Sequence, residues 1–217
     1  MRLTYFIGWS LCNVVLRTYF RCRIYHAERV PRTGPVILAS NHASHLDPPL
    51  VGIGLPRDIH YLARKTLFRF PPFGWVLRSI NSVPVDRDGG GAAGLRAILD
   101  RLLDGQGIVL FPEGTRTRDG RLQPARSGIG LAVAKSNAPV VPVRVFGTFA
   151  AFGRHARWPR PCPVAIKYGL PLEFRELREE AAHCSKARLR EVYQEIADEI
   201  MRAIGRLEPC WDKTTFP

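Results

Sequence analysis

The chain has 217 residues, of which 46% are hydrophobic and 24% are charged. This balance is typical of one globular domain and excludes a disordered or fibrous chain. A formal net charge of +13 indicates an anionic partner: nucleic acid, an anionic membrane face or a phosphate-bearing substrate. No zinc finger, RNP-like strand or basic helical stripe accompanies this charge, so we expect no nucleic-acid partner. The five cysteines are scattered without a C-x-x-C pair, which predicts free thiols in a reducing compartment.

The first segment, residues 3–16, is mostly apolar and rich in aromatic side chains, and arginines flank it on both sides. It is too short to cross a hydrocarbon core, which requires about 20 apolar residues. No small-x-small cleavage site follows it, which disfavours a signal peptide. We therefore predict a membrane-interface helix over residues 1–23, with its aromatic rings at the headgroup boundary. The alternative is a helix packed on the protein's own core.

Residues 36–40 (VILAS) predict a short buried strand, which leads directly into NHASHLD at residues 41–47. His42 and Asp47 would combine a proton acceptor with a carboxylate that orients it. Two prolines and an apolar run follow Asp47, so its second interpretation is the N-cap of a helix. His45 lies between them, but the other histidines stand in unrelated contexts, and we expect no metal site.

The middle of the chain supplies two more strands, at residues 59–63 and 82–85, and the second of them leads to Arg87. Residues 64–75 interleave aromatic and basic side chains around a Pro-Pro pair. This segment is either a second surface for lipid or part of the core with flanking arginines.

A helix over residues 91–103 precedes a strand at residues 107–111, which ends in the loop PEGTR. This loop combines a carboxylate, a glycine that lets a ligand approach the backbone, a hydroxyl and a guanidinium. Because ligands bind outside the carboxyl ends of strands in open α/β sheets, the polar residues after these strands are expected to converge on one site.

The remaining elements are a helix at residues 129–136, strands at 140–145 and 164–168, and a long helix at 186–204. The alternation predicts a single-domain α/β sandwich with a largely parallel sheet flanked by helices. Between the last two strands, three arginines surround Trp158 in a basic loop. We interpret this loop as an exposed, solvated surface, and the alternative is a contact for membrane or acyl carrier.

Four segments in order resemble the motifs of the glycerolipid acyltransferases, specifically the lysophosphatidic acid acyltransferase branch. They are NHASHLD, Arg87 in VPVDR, FPEGTR, and VPV at residues 141–143, and the resemblance covers residues 31–147. The chain departs from the family pattern at Asn81-Ser82, where glycine is usual, and at Arg126, where lysine is common. Both departures leave the charge pattern intact.

The resemblance implies transfer of a fatty acyl group from an acyl thioester to the free hydroxyl of lysophosphatidic acid, giving phosphatidic acid for phospholipid biosynthesis. The donor would be acyl-CoA or acyl carrier protein, and no further cofactor is implied. His42 would act as general base and Asp47 would hold its tautomer. Glu113 would hold a glycerol hydroxyl or an arginine, and Gly114 and Thr115 would face the substrate or the developing oxyanion. The arginines expected to receive the acceptor phosphate are Arg87, Arg116 and Arg126.

Three alternatives remain open at this point: transfer to another lysophospholipid or a lyso-aminolipid, a thioesterase or esterase, and an inactive membrane-binding protein. The predicted organisation is a membrane-interface helix (residues 1–23), an acyltransferase domain (24–208) and a tail (209–217). We expect peripheral or monotopic attachment to the cytoplasmic face of the cell membrane.

Overall fold

A seven-stranded sheet forms the centre of the fold in a computed structural model, which describes residues 3–85 and 92–209. The strands are β1 Arg23–Tyr25, β2 Val36–Ser40, β3 Ile59–Arg64, β4 Ser82–Val85, β5 Gly107–Leu110, β6 Val140–Phe146 and β7 Ala165–Tyr168. Their order is β1-β7-β6-β2-β5-β3-β4, and all neighbours are parallel except β6 and β7. The predicted largely parallel sheet is therefore confirmed.

Helices cover both faces of this sheet. They are α1 Leu3–Thr18, α2 Asp47–Ile53, α3 Pro71–Ser79, α4 Ala92–Leu103, α5 Gly128–Ala134, α6 Thr148–Phe152, α7 Arg175–His183 and α8 Lys186–Arg206. Strand β2 shows how the two layers arise, because successive side chains of a strand point to opposite faces. Val36 and Leu38 are buried in the layer of α1 and α2, whereas Ile37 and Ala39 are buried in the layer of α4, α5 and α8.

The predicted strands at residues 36–40, 59–63, 82–85, 107–111, 140–145 and 164–168 are each found within one residue at either end. The long predicted helices are found within two residues. Strand β1 and the helices α3, α6 and α7 were not predicted. Cys12, Cys22, Cys162 and Cys184, which lie in the described residues, are free thiols as expected.

Helix α1 has two different faces. On one face Tyr5 and Leu16 are buried, and the Tyr5 hydroxyl accepts a hydrogen bond from the Ile59 N–H at 3.2 Å. On the other face Leu3, Leu11 and Val14 are 59 to 73% exposed. One side of α1 thus packs on the core, as the second interpretation expects, and the other side is apolar and exposed; contact of this exposed side with lipid stays a prediction.

Within residues 3–85 and 92–209, no helix combines the length and the apolar composition needed to cross a membrane.

The contact between α5 and α8 depends on a glycine. A Cβ atom at Gly130 would lie 1.9 Å from the Tyr193 carbonyl oxygen on α8, a separation that no real pair of these atoms adopts. The two helices can therefore approach at this distance only because position 130 has no side chain.

We expect Gly130→Ala to lower the free energy of unfolding by about 1–3 kcal/mol, because α5 must move away from α8 to admit the methyl group. Gly128→Ala in the same helix is the matched control, since nothing lies within 4 Å of a Cβ at that position. It should leave stability unchanged or raise it by up to about 1 kcal/mol. Urea unfolding measures both, and equal stability of the two variants would contradict the close-packing explanation.

Candidate active site

His42 lies two residues beyond the carboxyl end of β2. Its backbone carbonyl accepts a hydrogen bond from the Thr117 N–H at 2.8 Å. Its ring stacks on Phe111, which follows β5, with 4.0 Å between ring centroids and 18° between planes. The loops after β2 and β5 together therefore hold the imidazole in one orientation.

Asp47 is fully buried and its Oδ2 lies 2.9 Å from His42 Nδ1. The same oxygen accepts hydrogen bonds from the Ala43 and Ser44 N–H groups, both at 2.6 Å. Although α2 begins at Asp47, no side-chain hydrogen bond caps this helix. The N-cap interpretation of Asp47 is therefore wrong: its carboxylate faces backward, to the histidine and the loop that carries it.

Glu113 is also buried, and it joins the two loops. Its Oε1 accepts from the His42 N–H at 2.8 Å and its Oε2 accepts from the Gln123 N–H at 3.2 Å. Burial raises the pKa of this carboxyl from 4.5 to about 7, although the two backbone hydrogen bonds lower it. Glu113 thus links the backbone of His42 to the loop after β5, and it is not among the residues that line the adjacent cavity. Its expected contact with a glycerol hydroxyl or an arginine stays a prediction.

The next residues of the same loop have different surroundings. The Gly114 N–H donates to the Phe111 carbonyl at 2.9 Å, so this group is already paired. Gly114 adopts a φ of +70°, and the Arg126 side chain passes so close that a Cβ would lie 2.9 Å from Arg126 Cδ. Arg126 is exposed at this position. Of this group, Thr115 and Arg116 are the residues that line the adjacent cavity.

Arg116 contacts the ring of His45, with Arg116 Nη1 against His45 Nε2. His45 also packs on Phe152, with ring centroids 5.1 Å apart. Among the described residues, no group of three or more His, Cys, Asp or Glu side chains is arranged to hold a metal ion. Arg87, the third predicted phosphate ligand, lies outside the described residues.

A cavity of about 600 Å³ opens beside His42. Its polar lining includes His42, His45, Thr115 and Arg116 from the loops after β2 and β5, together with Arg64 and Arg154 from other segments. Its apolar lining comes largely from helices α1, α2 and α3, with Trp9 and Leu77 among the side chains, and from Ile80 directly after α3. The site can thus hold a long apolar group next to a histidine that accepts a proton and an arginine that binds an anion.

Two parts of this site were not predicted from the sequence. Helix α1 was expected at a membrane or on the core, and its Tyr5, Trp9 and Cys12 prove to be walls of the cavity. His45 was weighed only as a metal ligand. Its position three residues after His42 in the same loop was the available signal, but that spacing alone does not indicate a neighbouring arginine.

Comparison with known proteins agrees with this geometry. The family model described as Acyltransferase matches residues 21–146, which is more than half of the chain. The 1-acyl-sn-glycerol-3-phosphate acyltransferase of Bacillus subtilis (strain 168) is 31% identical over 136 residues, covering 62% of this chain and 67% of that protein. The 1-acyl-sn-glycerol-3-phosphate acyltransferase of Cocos nucifera is 31% identical over 150 residues, covering 66% of this chain. The chain matches only 48% of the length of the coconut protein.

Among solved structures, the crystal structure of the 1-acyl-sn-glycerophosphate (LPA) acyltransferase PlsC from Thermotoga maritima is similar in fold. Its TM-score is 0.67 at 23% sequence identity, covering 98% of this chain and 86% of that one. The match of fold, the family model and the Bacillus relative lead to one conclusion: the chain belongs to the acyltransferase family.

Proposed function

We propose that this protein transfers a fatty acyl group from an acyl thioester to the free hydroxyl of lysophosphatidic acid, giving phosphatidic acid. The observation that carries the proposal is the His42–Asp47 pair, 2.9 Å apart, at a cavity that also contains Arg116. The family match and the names of the relatives support the same reaction.

The chemistry follows from the tautomer of His42. An ionised carboxylate only accepts hydrogen bonds, so Asp47 accepts from the Nδ1–H of His42, and this tautomer leaves Nε2 with a free lone pair. Nε2 removes the proton of the acceptor hydroxyl while that oxygen attacks the thioester carbonyl carbon. The carbon–sulfur bond then breaks, and the leaving thiolate takes the proton from His42 Nε2, so that a free thiol departs and His42 returns to its neutral form. No acyl-enzyme is required.

Substrate placement follows from the two kinds of lining. The acyl chain would occupy the apolar part of the cavity, between α1, α2 and α3. The volume of the whole cavity, about 600 Å³, lies within the 300–1,000 Å³ range of ligand pockets. The acceptor phosphate would meet Arg116, whose planar guanidinium matches phosphate oxygens in pairs. We also propose Arg87 and Arg126 as ligands of the acceptor phosphate.

The alternatives differ in acceptor and in outcome. Another lysophospholipid or a lyso-aminolipid would use the same histidine with a different head group, whereas a thioesterase or esterase would release free acid without any acceptor. Purified protein assayed with a panel of lysolipids, and with both acyl-CoA and acyl carrier protein as donors, separates these functions. Hydrolysis that is independent of acceptor would refute the transferase proposal.

We further propose peripheral or monotopic attachment to the cytoplasmic face of the cell membrane through the exposed face of α1. This face carries several large apolar side chains, and Phe70 and Trp75 of the segment near α3 are similarly exposed. Residues 1–27 contain no acidic residue, while nine of the 19 acidic residues lie in residues 173–208, in the opposite helical layer. An anionic bilayer would therefore attract the α1 side of the molecule.

The first prediction for this site concerns the catalytic pair. His42→Ala should lower kcat on the order of 10²- to 10⁴-fold in a protein that still folds, because the proton acceptor is lost. Asp47→Asn should be similarly impaired, because its amide brings a donor to a position surrounded by three donors. Steady-state kinetics on folded protein is the measurement. Near-normal turnover by Asp47→Asn would refute the orienting role of this carboxylate.

The second prediction concerns the acyl-chain site. Cys12→Phe places a larger side chain in the cavity and should reduce transfer of long acyl chains at least tenfold more than transfer of short ones. Retained activity on short chains shows that the variant folds. Leu11→Phe is the matched control, because Leu11 is 64% exposed on the outer face of the same helix. Equal effects of the two variants at every chain length would place the acyl chain elsewhere.

The third prediction concerns the membrane. Leu11→Glu combined with Val14→Glu puts two charges on the exposed face of α1, and we expect much weaker sedimentation with anionic vesicles. Activity on acceptor presented in detergent should be retained, because neither side chain lines the cavity. Leu103→Glu with Leu170→Glu, also on exposed leucines, is the control. If both double variants bind vesicles as well as the wild type does, α1 is not the anchor.

A further inference from the structure

His45 occupies a defined place at the cavity, although the reaction does not use it. The backbone N–H of His45 donates to the Phe152 carbonyl at 3.3 Å, and the His45 ring packs on the Phe152 ring. The adjacent Ser44 hydroxyl donates to the same carbonyl at 2.6 Å. These contacts tie the loop after β2 to the end of α6, so the direction of the His45 ring is set by its neighbours.

The contact between His45 Nε2 and Arg116 Nη1 restricts the charge of the histidine. A guanidinium has only donors, so a hydrogen bond between these two nitrogens requires His45 Nε2 to be an unprotonated acceptor. The charged and titratable groups that act on the pKa of His45 are Arg116, His42 and Asp47. Arg64 and Arg154 line the same cavity. Burial and the positive charge of Arg116 lower the pKa of His45, and only Asp47 opposes them. A neutral His45 at pH 7 is therefore consistent with its surroundings.

We propose that His45 is a positioning residue that holds the Arg116 guanidinium toward the phosphate of the acceptor. This inference rests on the proposed function, because it assigns a phosphate to Arg116. A guanidinium presents five N–H donors in a planar fork, so one of them can donate to the His45 ring while the fork faces phosphate oxygens. Protonation of His45 removes the acceptor and places two like charges in contact, so Arg116 should leave this position and the KM for a phosphate-bearing acceptor should rise.

The experiment compares two substitutions in the full-length protein. His45→Phe keeps an aromatic ring against Phe152 but removes the acceptor nitrogen, and it should raise the KM for lysophosphatidic acid on the order of tenfold at pH 7.5. The KM for uncharged monoacylglycerol and the kcat should change less than about twofold, because His42 is untouched. His45→Gln retains an acceptor oxygen without a titrating group and should keep a KM near the wild-type value at pH 7.5. His183→Gln, on the exposed helix α7, is the control for the substitution itself.

The pH profile supplies a readout that a purely structural residue would not change. Between pH 7.5 and pH 5.5 the KM of the wild type should rise relative to that of His45→Gln. The phosphate of the acceptor also titrates near pH 6, but it does so identically in both proteins. A relative fall of the wild-type KM on acidification would overturn the proposal, because it would show that protonated His45 binds the phosphate itself.

A double-mutant cycle tests whether His45 acts through Arg116. In an Arg116→Ala background, His45→Phe should add little to the KM, because the group it positions is absent. A full additional tenfold effect in that background would overturn the inference, as would an unchanged KM of His45→Phe in otherwise wild-type protein. If the wild type fails to acylate lysophosphatidic acid at all, the proposed function fails first. That outcome is visible before any variant is assayed.

Discussion

The site depends on one buried oxygen, Oδ2 of Asp47. A carboxylate withdrawn from water is costly unless donors replace the lost hydration. Oδ2 receives three such donors, two from the backbone of the loop after β2 and one from His42. The same hydrogen bonds therefore stabilise the buried charge, fold the loop back on the start of α2 and orient the imidazole. Removing the carboxylate would disturb all three at once.

A second buried carboxylate, Glu113, extends this arrangement to the neighbouring strand. It accepts from the His42 N–H and from the loop after β5, so the carboxyl ends of the adjacent strands β2 and β5 are linked through the backbone of the histidine itself. Asp47 and Glu113 hold different parts of one residue: the first holds its ring and the second its main chain. Two anchors leave His42 little freedom to rotate, which is the condition for a positioned base.

The features of the fold that could be predicted from the sequence are those that depend on a local residue pattern. Continuous apolar runs such as residues 36–40 predict buried strands, and the order of strands and helices predicts a parallel sheet. The sequence did not predict which polar side chains turn inward. The loop PEGTR alone does not indicate that Glu113 lies beneath the site while Arg116 faces the cavity. Strand β1 was missed because three residues become a strand only by pairing with β7, about 140 positions later in the chain. For Asp47, the N-cap of a helix and a carboxylate that orients His42 have the same local sequence pattern. Only the hydrogen bonds of the folded chain distinguish these two roles.

Helix α1 connects the chemistry to the outer surface, and neither of its two sequence interpretations included this connection. Tyr5, Trp9 and Cys12 face the cavity, while Leu11 and Val14 face outward. An α-helix with its side chains is only about 10 Å across, so the proposed lipid surface and the proposed acyl-chain site are separated by a single layer of protein. The outer face has a single requirement, which is to be apolar where it contacts lipid. The inner face has a second requirement, because its side chains must leave the cavity open for the acyl chain. A helix under both requirements should tolerate substitution on its outer face by any apolar residue, and on its inner face only by residues that preserve the cavity.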